Sequence, residues 1–169
     1  MSELVKKLEP KIIWNHFANL NAIPRPSKKE EQVIEFMMNF GKDLHLETFT
    51  DSVGNVIIRK PATKNFENRK TIVLQSHLDM VHQKNGTTIF DFDNEGINML
   101  IEGDWVTADG TTLGADNGMG VAAIMSVLSS KKIQHPKIEA LFTIDEETGM
   151  TCLLYTSPSP RDLSTSRMP

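Results

Sequence analysis

Residues 119–130, MGVAAIMSVLSS, carry no charge and are apolar on nearly all sides. A helix at the surface keeps a polar stripe, so a helix of this composition has to be buried by the fold. The uncharged run around it falls short of the roughly 20 residues that cross a bilayer. Lys131 and Lys132 follow it, the charge favoured at a helix C-terminus. Two further apolar runs stand before and after it, TIVLQ at 71–75 and IEALFTI at 138–144. Both read as strands, and TIVLQ, rich in β-branched residues, reads as a buried one. A buried helix between strands predicts an α/β domain with a mostly central sheet.

The rest of the pattern agrees. Ile13, Phe17 and Leu20 recur at helical spacing, and Pro24 and Pro26 stop that helix. Ser27 and Glu30, in SKKE, predict a capping box that opens a second helix with Val33, Met37 and Phe40 on its apolar face. LETFT and NVIIRK predict two strands joined by the turn DSVGN. INMLI and DWVTA predict a hairpin turning at Glu102-Gly103-Asp104.

Composition excludes several classes of function. With 39% hydrophobic and 24% charged residues, the 169-residue chain fits one soluble globular domain. A net charge of −4 argues against nucleic acid or an anionic membrane as partner. The single cysteine, Cys152, excludes an internal disulfide framework and fits a reducing compartment. MSELVKKLEP lacks the apolar core of a signal peptide, so a cytoplasmic location is expected.

Three polar clusters share one placement. SHLDM follows TIVLQ, GADNG precedes the buried helix, and DEE follows IEALFTI. In open α/β sheets ligands collect outside the carboxyl ends of the strands, so segments far apart in sequence can meet there. The candidates are His77, Asp79, Asp116, Glu146 and Glu147. Imidazole and carboxylate are good zinc ligands. His77 and Asp79 are two residues apart and face the same side of an extended chain, so Asp79 can support a ligand His77 from behind. Adjacent Glu146 and Glu147 point differently, which leaves one to bind metal and the other to act as a base. Asp116, with two oxygens, can bridge two ions. Taken singly, each motif has an ordinary explanation: an H-x-D pair by chance, a turn at GADNG, a solvated acidic edge at DEE. Their shared placement is what favours chemistry.

Other reactive side chains are expected to be structural or exposed. His16 lies in the first helix, His45 and His82 in loops, and His135 before Pro136 in a connection expected at the surface. Cys152 has no activating base nearby in sequence. GADNGMG lacks a Walker lysine, which argues against a phosphate loop.

At these residues the chain resembles a known family. The stretches IPRPS, VGNVIIRKPAT, ENRK, VLQSHLDMVHQKN, GTTLGADNGMGVA and DEETGM resemble the aminoacyl-histidine dipeptidases, within the larger group of dizinc exopeptidases and amidohydrolases. The resemblance covers residues 1–151. It implies the N-terminal part of a zinc-exopeptidase-type catalytic domain, with a central mixed sheet flanked by helices. It implies His77, Asp116 and Glu147 as metal ligands for two Zn²⁺ ions, Asp116 bridging them with a cis peptide to Asn117. It implies Asp79 and Glu146 as catalytic residues, Asp79 as the supporting carboxylate and Glu146 as the general base. The implied reaction is hydrolysis of dipeptides, typically with C-terminal histidine, and the implied assembly is a homodimer. An aminoacylase, carboxypeptidase or tripeptidase of the same fold is the alternative, as is a non-catalytic metal-binding fragment. Further ligands are implied beyond Thr151, so the 169-residue chain alone is expected to be inactive. Residues 152–169, in which nine of 18 are Ser, Thr or Pro, are expected to form a non-native, disordered tail.

Overall fold

The computed structural model describes residues 2–149. The expected tail, with Cys152, lies outside the described residues. Four helices, α1 (Ser2–Val5), α2 (Lys11–Asn21), α3 (Glu31–Asp43) and α4 (Ala115–Ser129), accompany six strands. These are β1 (Glu47–Thr50), β2 (Val56–Lys60), β3 (Ile72–His77), β4 (Met99–Glu102), β5 (Trp105–Ala108) and β6 (Ile138–Thr143). Strands β1, β2, β6 and β3 form one mixed sheet in that order. β1 with β2 and β2 with β6 are antiparallel; β3 with β6 is parallel. β4 and β5 form the expected hairpin, Glu102 opposite Trp105. Among the described residues, no helix is long and apolar enough to cross a membrane.

The uniform apolarity of α4 follows from its position between two cores. Val121, Ile124, Met125 and Leu128 join a core with Val33 and Met37 of α3 and with Val56, Ile58, Ile138, Ala140 and Phe142 of the sheet. Ala122 joins a second core with Phe17 and Ala18 of α2, Val5, Met80 and Met99. Only Ala123 of its middle turns is exposed.

Three expectations fail here, each for a tertiary reason. TIVLQ is not a buried strand: β3 pairs only with β6 among the described residues, and Ile72 and Val73 are 45% and 60% exposed. The capping box does not form, because α3 begins later, at Glu31, with no side-chain cap. Ser27 and Glu30 bond to distant loops instead. His135 is buried, its Nδ1 2.7 Å from the Pro136 carbonyl oxygen, while its backbone pairs with Thr63.

Candidate metal centre

The parallel pair β3 and β6 determines where the site lies. Both strands end at the same level, with His77 opposite Thr143 in the register. The chain leaving β3 carries Leu78 and Asp79; the chain leaving β6 carries Asp145, Glu146 and Glu147. The N-terminus of α4 supplies Asp116, on a turn with a cis peptide between Asp116 and Asn117. Ser76 of β3 donates to the Asn117 carbonyl at 3.2 Å and so ties that turn to the sheet. All five candidates therefore meet at one sheet edge.

Asp79 is the anchor. It is fully buried, and four donors surround its two oxygens. Oδ1 accepts from the backbone N–H of Glu146 at 3.1 Å and lies 3.3 Å from His77 Nδ1. Oδ2 accepts from the Glu147 N–H at 3.1 Å and from Ser27 Oγ at 2.7 Å. A carboxylate has about four lone-pair sites, so this one has none left for a metal. Burial raises the Asp79 carboxyl pKa, but the bonds from His77, Ser27, Glu146 and Glu147 outweigh it and hold it at about 2.

His77 has its two ring nitrogens in different surroundings. Nδ1 faces Asp79, 3.1 Å from its backbone oxygen. Nε2 faces outward, 3.1 Å from Asp116 Oδ1 and 3.8 Å from Glu146 Oε2. Burial lowers the imidazole pKa, yet Asp79 and Asp116 together raise it to about 9. Burial raises the Glu147 carboxyl; His77 opposes that, and the Asp116, Glu146 and Asp79 carboxylates add to it. A donor atom from each of His77, Asp116 and Glu147 lies within 4.8 Å of the others. The donor set fits zinc: one neutral-capable nitrogen with its partner nitrogen already oriented, and two carboxylates converging on it.

One buried residue beside the site, Arg25, was missed by sequence reasoning. Arg25 is 1% exposed. Its Nη1 donates to the Leu78 carbonyl at 2.9 Å, and its Nη2 to the Gly114 carbonyl at 2.6 Å and to Asn21 Oδ1 at 2.9 Å. Burial lowers its pKa to about 10 in spite of Asp79 nearby. Gly114 has φ +69°, and a Cβ there would lie 2.5 Å from Arg25 Nη2. Glycine is needed at that position on both counts. Nothing in the local sequence marks Arg25, which stands between Pro24 and Pro26 just ahead of the polar SKKE. Of the other histidines, His16 meets Ser129 Oγ at 3.2 Å, His82 stacks edge-on with Phe92, and His45 is exposed. None of them reaches the site.

No family model matches the chain. It is 49% identical over 150 residues to the cytosol non-specific dipeptidase of Escherichia coli, which covers 89% of this chain and 31% of that protein. It superposes on the crystal structure of aminoacylhistidine dipeptidase from Vibrio alginolyticus with a TM-score of 0.85 at 48% identity, again over 89% of this chain and 31% of that one. Peptidase T of Bacillus licheniformis is 32% identical over 133 residues, 75% of this chain and 28% of that protein. By sequence and by fold, the chain is homologous to the cytosol non-specific and aminoacylhistidine dipeptidases and, at lower identity, to peptidase T, and it spans about a third of their length.

Proposed function

We propose that this chain carries the metal-gripping edge of a zinc-dependent dipeptidase that acts in the cytoplasm. The observation that carries this reading is the convergence of His77, Asp116 and Glu147 on one point, with Glu146 beside them. His77 Nε2 and one oxygen of Glu147 would each hold a zinc ion, and Asp116 would contribute to both. Bound there, zinc supplies Lewis acidity toward a peptide carbonyl and lowers the pKa of a nearby water. Glu146 is the residue left to move protons. It would take one from the attacking water and give it to the leaving amine, a role worth about 10²–10⁴-fold in rate. Asp79 takes no proton; its four donors keep it ionised and keep His77 Nε2 turned outward. Dipeptides ending in histidine are the proposed substrates. The 49% identity to a cytosol non-specific dipeptidase supports dipeptides, and the 48% identity to an aminoacylhistidine dipeptidase supports the histidine end.

The test separates the two adjacent glutamates. Zinc is titrated into the chain in competition with a chromophoric chelator. Glu147→Gln is expected to weaken binding and Glu146→Gln to leave it near wild type. Zinc lost from Glu146→Gln but retained by Glu147→Gln would reverse the roles. A panel of histidine-terminated dipeptides against N-acyl amino acids, assayed on a zinc-loaded form that turns over, decides the substrate class.

A further inference from the structure

One short segment, residues 25–30, touches all three loops that carry the candidate ligands. Its backbone runs beside the stretch that leaves β3: Met80 N–H donates to the Arg25 carbonyl at 3.1 Å, and Ser27 N–H to the Met80 carbonyl at 3.3 Å. Its side chains then divide the work. Arg25 reaches the Leu78 carbonyl behind His77 and the Gly114 carbonyl ahead of Asp116. Ser27 Oγ donates to Asp79 Oδ2, which leaves Oδ1 for His77. Glu30 Oε1 accepts from the backbone N–H of Asp145 at 3.0 Å, and from Lys28 N–H at 2.9 Å. Asp145 has φ +54°, a left-handed conformation uncommon outside glycine, although aspartate adopts it more readily than most residues. The residue after it is Glu146.

We propose that Arg25, Ser27 and Glu30 are positioning residues that lock the three loops into one metal-binding geometry before any metal arrives. Each is at least 93% buried, with relative exposures of 1%, 7% and 5%, so none is placed to meet substrate from solvent. Their partners are backbone groups, the Asn21 side chain and Asp79, not the candidate ligand atoms themselves. Arg25 spans two loops and cannot be replaced by lysine, whose single ammonium lacks the planar fork. Ser27 and Glu30 each hold one side of the Asp79–Glu147 junction. Without them the loops could still fold but would sample other arrangements. Outer partners of this kind are worth about 10–100-fold in metal affinity.

This role presupposes the metal-site reading above, and the experiment keeps the two apart by using one readout with metal and one without. The 169-residue chain is compared with Ser27→Ala and Glu30→Ala, and with Ser27→Thr and Glu30→Gln, which retain the hydroxyl and the acceptor oxygen. In metal-free protein, amide hydrogen exchange is followed at Asp145, Glu146 and Glu147, and at Ala140 and Phe142 of β6 as the reference. The alanine variants are expected to exchange at least about tenfold faster at the loop amides, since a hydrogen bond to a charged group is lost, with β6 unchanged. The conservative variants are expected to restore protection. Zinc affinity, measured by chelator competition, should fall about 10–100-fold in the alanine variants and recover in the conservative ones. Loop amides as protected in the alanine variants as in wild type would overturn the proposal. So would equal loss of protection in β6, which would mean that these residues only stabilise the domain. Wild-type chain that takes up no zinc while the exchange pattern holds would show that His77, Asp116 and Glu147 do not hold the ion by themselves, and would leave the brace standing.

Discussion

β3 begins and ends in opposite surroundings. At its start the apolar Ile72 and Val73 are 45% and 60% exposed. At its end the polar Ser76 and His77, with Asp79 just beyond, are 0%, 5% and 0% exposed. The usual sorting of apolar inward and charged outward is inverted along eight residues. The difference lies in neighbours. The start of β3 has β6 on one side and nothing from the described residues on the other. The end is enclosed by Ser27, by Asp116 and by the loop after β6. Charge is buried there because it is paired at every lone pair, which is the condition under which burial of a carboxylate is tolerated. Burial thus follows partners, not polarity, and the buried charge marks the site.

The largest effect should come from removing the charge that the inversion depends on. Asp79→Ala leaves the raised-pKa His77, two backbone N–H groups and the Ser27 hydroxyl without their acceptor. Breaking a buried pair in this way costs about 3–5 kcal/mol. Denaturant unfolding of the metal-free chain measures it. A loss no larger than that of an ordinary surface substitution would show that the polar end of β3 is not held by Asp79.

The same pairing predicts how metal-free stability varies with pH. Asp79 titrates at about 2 in the folded chain against an ordinary value of 3.8. Its contribution is present above about 4 and is lost as pH falls through about 2. His77 titrates at about 9 against 6.5. Its contribution is complete below 6.5 and is lost as pH rises through about 9. A plateau between about pH 4 and 6.5, with both flanks falling, is therefore expected in urea midpoints. Asp79→Ala should abolish the acid flank and move the alkaline one to lower pH without abolishing it, because Asp116 also raises His77. An unaltered alkaline flank in that variant would assign it to another group.

How much of this was legible in the sequence depends on how far each partner lies along the chain. The α/β pattern, the hairpin and the placement of the three clusters come from local periodicity and strand ends, and they hold. The pairing of His77 with Asp79 needed only a two-residue spacing. The proposed division of labour between Glu146 and Glu147 comes from resemblance, since adjacent glutamates look alike in sequence. SKKE misled because Ser27 finds its partner 52 residues away and Glu30 finds one 115 residues away. A capping box is a local reading, and stronger long-range acceptors and donors won. Arg25 was invisible because a guanidinium reads as surface until three carbonyl and amide oxygens on three segments are seen to surround it. TIVLQ failed because an apolar run reports that a strand can be buried, not which of its sides has a neighbour.

The smallest effect should come from the other end of the inversion. Val73 lies on the face of β3 that alternates with Leu74, and its register partner on β6 is Glu139, itself tied to Arg59. Its side chain therefore faces a charged row and solvent rather than the cores beneath α3 and α4. Val73→Thr keeps the β-branched shape and the strand preference, and the added hydroxyl stays hydrated. Its cost in unfolding free energy should be within about 0.5 kcal/mol, as for surface positions without special partners. The informative readout is self-association. An exposed apolar strand edge is a template for pairing with another chain, so Val73→Thr should lower the sedimentation-measured association of the isolated chain without changing its zinc affinity. A cost of several kcal/mol would mean that Val73 is covered in solution, and the start of β3 would then be a second buried end rather than the counterexample to the first.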